Sequence, residues 1–429
     1  MIVPDSLRSL FNRPVAVLGA GVSGFAVVAL LKRLGVEGVL YDEYAADFTR
    51  RFTACEALKH RVVVYSPGFS PDHSWVKTAQ EYCDLCIGEL EFASLFWDGR
   101  IIAITGTNGK TTLTCFLNSA LKRVGLKAVV VGNVGVPFSG VFETIESTRD
   151  AVAVCEVSSF QSEVMNRMNI DTLIWTNFEE DHLDRHKDLE DYFAAKWRLI
   201  EVMKPSRIFV GASVAAAATR FDRNLPPSAV VVDRMNSTPI PKNSVFESFP
   251  QRENYLLVHA FWRSEGYDEN NLLESVHDFQ LPNHRLQKIN EREGVRFWND
   301  SKATNFSATL AAVQSFDQPV YWIGGGQSKG GDLNRFVAQL QEGVCAAFLI
   351  GTTALQLENL LRKFQIPTQR FATLDAAVAA AFERAEQGTD VLFSPGFASF
   401  DMFSSYAERG VRFEEAVLKL KTNTHSYLK

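Results

Sequence analysis

The sequence lacks three features that mark large classes of proteins: long apolar runs, an excess of basic residues and two or more closely spaced pairs of cysteines. No apolar segment reaches the roughly 18 residues that a membrane-spanning helix needs, and the N-terminal residues lack the pattern of a secretory signal. Lys and Arg number 44 against 50 Asp and Glu, and the basic residues are scattered, which argues against a nucleic-acid partner. We therefore expect a cytoplasmic protein, without a membrane span, that acts on small molecules.

The six cysteines are spread along the chain, and only Cys83 and Cys86 have a spacing typical of a metal or redox site. Zinc would need two further ligands, and the sequence has no second pair of this kind. The pattern favours reduced thiols in or near a core strand.

Strand-like apolar runs, such as VAVLG, IIAITG and DVLFSPG, alternate with helix-length amphipathic stretches along nearly the whole chain. This alternation predicts an α/β fold in which helices connect the strands of parallel sheets. At 429 residues the chain is longer than one hydrophobic core usually organises. Changes of pattern before IIAITG and at FQLPNHRLQ predict domains of about 1–98, 99–281 and 282–429.

Two glycine-bearing turns each follow a strand-like run and open a helix, an arrangement that holds phosphate at a helix N-terminus. The first, GAGVSG, is followed by Asp42 at the end of the next strand, about where a ribose partner would lie. Taken alone, it indicates a dehydrogenase, a tight packing turn or a site for another diphosphate.

The second turn, GTNGKTT, offers backbone amides that can surround phosphate oxygens, Lys110 as a point charge and Thr111 as a Mg²⁺ ligand. It is a shortened phosphate loop, because Ile104 stands where the full Walker pattern has glycine. The nucleotide contacts predicted here are Gly106, Thr107, Asn108, Gly109, Lys110, Thr111 and Thr112.

Further polar residues follow other strand-like runs. Glu156 ends AVAVCE, which suits either a Mg²⁺ ligand or the cap of the next helix. The loop TNFEEDHLDRH crowds acidic residues around His182, although a solvated acidic loop is the usual form of such a run. Asp300, Lys302 and Thr304 alternate in NDSKATN, which a helix cap would explain equally well.

Taken in order, GTNGKTT, GNVGVP, EVSSFQ, DHLDRHKDLEDYFAAK, NHR, NDSKATN, GGGQSKGGD and SPGFASFDMF resemble the Mur ligase family. GAGVSG and YSPGFSP extend the resemblance over nearly the whole chain. The resemblance implies three domains: a Rossmann-like domain for a UDP-linked substrate, a central P-loop ATPase domain with a mainly parallel sheet, and a C-terminal dinucleotide-fold-like domain. The last would close over ATP and bring the amino acid. The first glycine turn would then hold UDP and the second ATP.

The activity implied by the resemblance is an ATP-dependent ligation of D-glutamate to UDP-N-acetylmuramoyl-L-alanine in peptidoglycan precursor synthesis. A carboxylate is a poor acyl donor, so it would first be phosphorylated, and the amine of D-glutamate would then attack the acyl phosphate. Two Mg²⁺ ions would neutralise the charge that develops on the transferred group. We expect a monomer.

The matching motifs also imply residue roles. The ATP contacts outside the phosphate loop would be Asn254, Arg285, Asp300 and Lys302. The UDP-linked substrate would be contacted by Gly19, Gly21, Ser23, Gly24, Asp42, Ser66, Asn133 and His182. D-Glutamate would be held by Thr304, Lys329, Ser399, Phe400 and Tyr406. The metal ligands would be Thr111, Glu156, His182 and Lys196, and the catalytic residues Lys110, Glu156, His182 and Lys196.

Lys196 fills the only gap in the apolar stripe of a helix-like segment at 188–203. A lysine carbamate is a modification found in the family, and it would give this inward position an oxygen-bearing anion suited to Mg²⁺. The alternative is an unmodified lysine whose ammonium group reaches solvent.

Three other functions are compatible with parts of the sequence: an NAD-dependent dehydrogenase, a folylpolyglutamate synthase that shares the ATPase centre, and a nucleotide-sugar sensor without catalysis. One departure from the family pattern concerns the base of ATP. ENYLLVHA keeps Asn254 but has Glu253 and Leu257 at two usually polar positions. We therefore expect weak discrimination against GTP, since a lost hydrogen bond removes about 1–3 kcal/mol of selectivity.

Overall fold

The computed structural model describes residues 3–45, 47–48, 51–145, 147–233, 238–247 and 249–420. These residues fall into two compact units, which are described separately: Met1–Phe178 with Glu190–Glu247 and Gln251–Phe279, and Glu179–Leu189 with Ser248–Pro250 and Gln280–Lys429. No helix within the described residues is long and apolar enough to cross a membrane.

The first unit begins with a four-stranded parallel sheet in the order β2-β1-β3-β4. Its strands are β1 (Val15–Leu18), β2 (Gly38–Tyr41), β3 (Val62–Tyr65) and β4 (Leu85–Gly88). Its helices are α1 (Asp5–Arg8), α2 (Val22–Arg33), α3 (Ala54–Ala57), α4 (Ser74–Tyr82) and α5 (Glu89–Ser94). The apolar runs of β1 and β3 are buried along their whole length, as expected for the central strands of a covered parallel sheet.

The turn between β1 and α2 requires glycine at two positions. Gly19 has φ +101°, which side-chain-bearing residues rarely adopt, and a Cβ at Gly24 would lie 1.8 Å from the Gly19 carbonyl oxygen. Strand and helix therefore meet closely enough for the helix N-terminus to face the end of the sheet.

The same unit contains a six-stranded parallel sheet in the order β10-β9-β8-β5-β7-β6. Its strands are β5 (Arg100–Thr105), β6 (Lys127–Gly132), β7 (Ala151–Glu156), β8 (Thr172–Trp175), β9 (Arg207–Gly211) and β10 (Ala229–Val232). Its helices are α6 (Lys110–Arg123), α7 (Phe138–Val141), α8 (Ser159–Ser162), α9 (Leu189–Glu201), α10 (Ala212–Arg220), α11 (Gln251–Glu265) and α12 (Glu269–Asp278). Residues of α6 and α11 pack with β5 and β7 in one apolar core, which fixes the loop between β5 and α6.

The second unit contains a six-stranded sheet in the order β11-β12-β16-β13-β14-β15, in which only the β11–β12 pair is antiparallel. Its strands are β11 (Gln287–Arg292), β12 (Val295–Asn299), β13 (Val320–Gly325), β14 (Val344–Ile350), β15 (Thr368–Arg370) and β16 (Asp390–Phe393). Its α-helices are α13 (Phe306–Val313), α14 (Leu333–Leu340), α15 (Ala354–Leu361), α16 (Leu374–Arg384) and α17 (Tyr406–Lys419). Two apolar clusters pack against this sheet.

These sheets and their helical connections confirm the predicted α/β fold class. The domain boundaries stay a prediction; residue 98 lies between α5 and β5, and residue 281 lies between α12 and β11. Cys83 and Cys86 are free thiols that approach the carbonyl oxygens of Ala57 and Val76. Burial raises the pKa of Cys83 to about 11 and that of Cys86 to about 12, so both thiols are protonated at neutral pH.

Candidate functional site

The loop between β5 and α6 is shaped by two glycines with positive φ. Gly106 has φ +146°, and a Cβ there would lie 1.8 Å from Thr176 Oγ1. Gly109 has φ +82°, and a Cβ there would lie 2.5 Å from Asn254 Oδ1. The loop therefore packs directly against the end of β8 on one side and the start of α11 on the other. Asn254, a predicted ATP contact, is buried beside this phosphate loop.

Polar residues after β8 hold the phosphate loop in place. The Asn108 amide donates to Asn177 Oδ1 at 2.9 Å, and Thr176 Oγ1 donates to the Asn108 carbonyl at 2.6 Å. Lys110 Nζ donates to the carbonyls of Gly106 and Thr107, at 2.8 Å in each case. The predicted phosphate-binding lysine thus lies over its own loop, where its charge reinforces the positive end of α6.

Glu156 lies beside the phosphate loop, because it ends β7 and pairs in register with Ile104 of β5. Its side chain is buried, and Oε1 accepts a 2.9 Å hydrogen bond from Asn133 Nδ2. Oε2 is buried and has no hydrogen-bond partner among the described residues. A buried carboxylate oxygen without a partner is costly, and it is the type of ligand that Mg²⁺ prefers. Asn133, predicted to contact the UDP-linked substrate, contacts Glu156 here.

Lys196 lies on the inward face of α9 and is 1% exposed. Its Nζ donates to the Gly106 carbonyl at 3.0 Å and lies 3.4 Å from Thr105 Oγ1. The predicted inward position is confirmed. The alternative of an ammonium group that reaches solvent is wrong, because the side chain ends at the base of the phosphate loop.

An open pocket with ≈ 910 Å³ of free space lies at the carboxyl ends of the strands of the first sheet. It is lined in part by five of the residues predicted to contact UDP, which are Gly19, Gly21, Ser23, Asp42 and Ser66. Ser66 Oγ is buried and has no hydrogen-bond partner within the described part of the chain, so the pocket wall carries an unsatisfied polar atom.

Asp42 is bound to the backbone that surrounds this pocket. Its Oδ2 accepts from the Ala20 amide at 2.7 Å, and Oδ1 accepts from the amides of Tyr44 and Ala45 at 2.9 Å. These hydrogen bonds lower the pKa of Asp42. Both carboxylate oxygens thus fix the glycine turn against the following loop, a role that the sequence pattern did not indicate.

In the second unit, a cleft with ≈ 290 Å³ of free space is lined by two predicted D-glutamate contacts, Thr304 and Lys329, and by Asp181. Lys329 Nζ lies 2.8 Å from Asp181 Oδ1, and Asn305 Nδ2 donates to Asp181 Oδ2 at 2.9 Å. Burial opposes ionisation of Asp181, but the charges of Lys329 and His182 outweigh it and hold its pKa well below the usual range. His182 adjoins Asp181, with His182 Nε2 and Asp181 Oδ2 3.7 Å apart.

Of the other predicted residues of this unit, Asp300 and Lys302 follow β12, Ser399 and Phe400 follow β16, Tyr406 begins α17, and Arg285 precedes β11. Asp300 accepts from Ser394 Oγ at 2.7 Å, and its burial raises its pKa to about 7. Lys302 Nζ lies 3.7 Å from the centre of the Tyr406 ring, a cation–π contact. Ser399 is buried, whereas Phe400 is 72% exposed. Arg285 belongs to the same unit.

Sequence patterns missed Asn305 and Arg409, both buried in the second unit. Asn305 caps α13, because its Oδ1 accepts a 2.9 Å hydrogen bond from the Ala308 amide. A polar residue before an apolar helix is a recognisable signal for such a cap. Arg409 lies within the amphipathic α17, where an arginine gives no sign that it is buried. Leu257 is also buried, in the apolar core behind the phosphate loop, so the expectation that it weakens base recognition has no support from its position.

These observations define the class as a nucleotide-binding α/β protein with a phosphate loop. Residues 104–233 match the family described as Mur ligase middle domain, and residues 284–397 match the one described as Mur ligase, glutamate ligase domain. The chain belongs to the Mur ligase family of ATP-dependent, ADP-forming amide ligases. The predicted enzyme class is thereby confirmed.

Curated relatives match over almost their full length. The UDP-N-acetylmuramoylalanine--D-glutamate ligase of Protochlamydia amoebophila (strain UWE25) is 32% identical, covering 96% of this chain and 99% of that protein. A ligase of the same name from Thermoanaerobacter sp. (strain X514) is also 32% identical, with the same coverage. Among solved structures, the UDP-N-acetylmuramate-alanine ligase MurC from Thermotoga maritima has a TM-score of 0.60 at 16% identity, covering 95% of this chain and 99% of that one. That similarity shows the shared fold.

Proposed function

We propose that this protein ligates D-glutamate to UDP-N-acetylmuramoyl-L-alanine at the expense of ATP. The observation that carries the proposal is the phosphate loop beside Glu156, whose Oε2 lacks a partner among the described residues. A separate glycine-turn pocket on the neighbouring sheet is available for a second nucleotide. The two turns thus serve ATP and a UDP-linked substrate, and no nicotinamide is required. The relatives of that name support this choice of substrates.

The residues around the phosphate loop fit Mg²⁺-ATP. Of the proposed magnesium ligands, Thr111, Glu156 and Lys196 belong to the first unit and His182 to the second unit, and residues 106–112 with Asn254 would hold the phosphates. When bound, Mg²⁺-ATP supplies the phosphoryl group that activates the substrate carboxylate. Lys110 would add positive charge where the phosphates bind, and a magnesium ion would give the Glu156 carboxylate oxygen the partner that it lacks.

Lys196 would act as a carbamate. Its Nζ is buried at the base of the phosphate loop, where an ammonium group would repel a nearby Mg²⁺. Addition of CO₂ to the neutral amine forms an N–C bond and releases one proton, which gives a carbamate with oxygen ligands for a hard cation. Two magnesium ions and this modification together form the metal site that we propose.

The remaining proposed roles follow the division of the chain into domains of about 1–98, 99–281 and 282–429. The UDP-linked substrate would lie against residues 19–24, Asp42 and Ser66, with Asn133 and His182 at its reacting end. Arg285, Asp300 and Lys302 would contact the nucleotide. The D-glutamate contacts would be Thr304, Lys329, Ser399, Phe400 and Tyr406. Lysine and backbone amides suit the two carboxylates of this amino acid.

Phosphate release from ATP tests the proposal. With UDP-N-acetylmuramoyl-L-alanine present, release should require D-glutamate and stay near background with L-glutamate, L-lysine or meso-diaminopimelate. A reaction without the UDP-linked substrate is the background control. Equal rates with any of the other amino acids, or faster release with a folate and L-glutamate, would overturn the assignment.

A further inference from the structure

Arg409 is a buried, charged side chain that the proposed roles leave unexplained. It lies in α17 with 1% of its surface exposed. All three guanidinium nitrogens donate hydrogen bonds: Nη2 to the Ser301 carbonyl at 2.8 Å, Nε to Ser301 Oγ at 3.1 Å, and Nη1 to the Phe397 carbonyl at 3.0 Å. Ser301 belongs to the loop after β12 and Phe397 to the loop after β16, so one side chain joins the two loops.

The two joined loops carry most of the contacts proposed for this unit. Asp300, Lys302 and Thr304 flank Ser301, whereas Ser399 and Phe400 follow Phe397. A third loop, after β13, also approaches the guanidinium. Gly326 there has φ +145°, and a Cβ at this position would lie 3.4 Å from Arg409 Nη1. That loop leads to Lys329, so Arg409 lies behind all three loops.

Filling space in the core would not require a charged side chain at position 409. Burial lowers its pKa to about 10, which leaves it charged at neutral pH. Within the described residues it forms no ion pair; Asp300 and Asp401 act on it only through their longer-range charges. Burying a cation without a close carboxylate carries a desolvation penalty, which an apolar side chain of equal volume would avoid. What an apolar side chain lacks is a rigid fork that reaches two backbone carbonyls at once.

We propose that Arg409 is a positioning residue, which fixes the loops after β12 and β16 relative to each other so that their side chains are held ready for nucleotide and D-glutamate. This inference rests on the proposed function only for the identity of the substrates. How rigidly the two loops are held can be measured without any substrate.

The kinetic test compares Arg409→Ala and Arg409→Lys with Arg412→Ala, which removes an exposed arginine of the same helix that bonds to Glu415. For Arg409→Ala we expect the KM for D-glutamate to rise about tenfold or more and kcat to fall roughly 10²-fold, since small displacements of contacting groups have effects of this size. The KM for the UDP-linked substrate should stay within about twofold, because that pocket belongs to the other unit. Added guanidinium chloride should restore part of the lost activity in Arg409→Ala alone.

Hydrogen exchange of the substrate-free protein gives the second readout. The amides of 301–305 and 394–401 should exchange roughly tenfold faster in Arg409→Ala than in the wild type, while those of α16 are unchanged. If Arg409→Ala does not fold, the same measurements on Arg409→Lys test the proposal, because lysine keeps the charge but cannot reach both carbonyls with one planar group. Unchanged loop exchange, or an equal loss of affinity for all three substrates, overturns the proposal. The wild type could also show no D-glutamate-dependent turnover while the loops of Arg409→Ala exchange faster. That combination would support the positioning role of Arg409 and refute D-glutamate as the substrate.

Discussion

Lys329 Nζ lies 2.8 Å from Asp181 Oδ1, and both side chains are largely withdrawn from solvent. The lysine that we propose for D-glutamate therefore already neutralises a carboxylate of the protein. Because Asn305 holds the other oxygen of Asp181, the pair has a fixed geometry. A bound amino-acid carboxylate would share or replace Asp181 as the partner of this ammonium group.

Replacement of Lys329 should therefore affect both binding and stability. Lys329→Ala should raise the KM for D-glutamate about 10²-fold and lower the free energy of unfolding at pH 7 by about 3–5 kcal/mol, because it strands a buried carboxylate. Urea unfolding measures the second effect, with Lys363→Ala, an exposed lysine of the same unit, as control. A loss equal to that of Lys363→Ala would contradict the prediction.

The pH dependence of this loss has a defined sign. The pKa of Asp181 is lower in the folded protein than in the unfolded chain, so its pairing stabilises the wild type above about pH 4 and this contribution is lost as the pH falls further. In Lys329→Ala the lowering charge is gone and burial raises the pKa, so the defect should shrink when the pH is lowered from 7 to 4.

Replacement of Lys196 should abolish most catalysis. Loss of a metal-supporting anion costs several kcal/mol of barrier, so Lys196→Ala should reduce turnover by about 10² to 10⁴ at saturating magnesium. Lys122→Ala, at an exposed position in the last turn of α6, should stay within about twofold. A carbamate resonance after addition of ¹³C-bicarbonate should appear in the wild type and vanish in Lys196→Ala. Near-normal turnover of Lys196→Ala without such a resonance would defeat the carbamate proposal.

The buried carboxyl group of Asp300 should lower the free energy of unfolding as the pH rises. Its folded pKa of about 7 lies above that of the unfolded chain, so the unfolded state loses its proton first and stability falls between about pH 4 and 7. Asp300→Asn should remove this slope and raise the free energy of unfolding at pH 8 by about 2–4 kcal/mol. Urea titrations at pH 5 and pH 8 measure it, with the exposed Asp317→Asn as control. Parallel pH profiles for wild type and Asp300→Asn would refute it.

Asp42 should be needed for the shape of the first pocket. Asp42→Asn replaces one acceptor oxygen with an NH₂ group facing backbone amides, which costs about 1–2 kcal/mol and should raise the KM for the UDP-linked substrate roughly tenfold. Glu37→Gln, a change at the exposed residue just before β2, is the control. NADH should bind no better than millimolar to the wild type, because Asp42 and the glycine turn would serve the UDP-linked substrate. Micromolar NADH binding by fluorescence titration would contradict this interpretation.

Local patterns were sufficient for the fold class and for the phosphate-binding elements. The run VVVY is buried throughout as β3, GTNGKTT forms the loop between β5 and α6, and the stripe of α9 places Lys196 inward. Each of these features depends on residues that lie close together in the sequence. Apolar periodicity and glycine spacing are therefore enough to predict them.

Only the tertiary structure decided which groups meet at the ends of the strands. Lys329 and Asp181 are 148 residues apart in sequence, and Arg409 reaches Ser301 across 108 residues. The packing of Leu257 in the core and the hydrogen bonds of Asp42 to the backbone around its pocket likewise follow from the tertiary structure alone. The order of strands in a sheet selects such pairs, and burial then sets their charge state. A short stretch of sequence determines neither the strand order nor the burial of these groups, because both depend on the packing of segments that are distant along the chain.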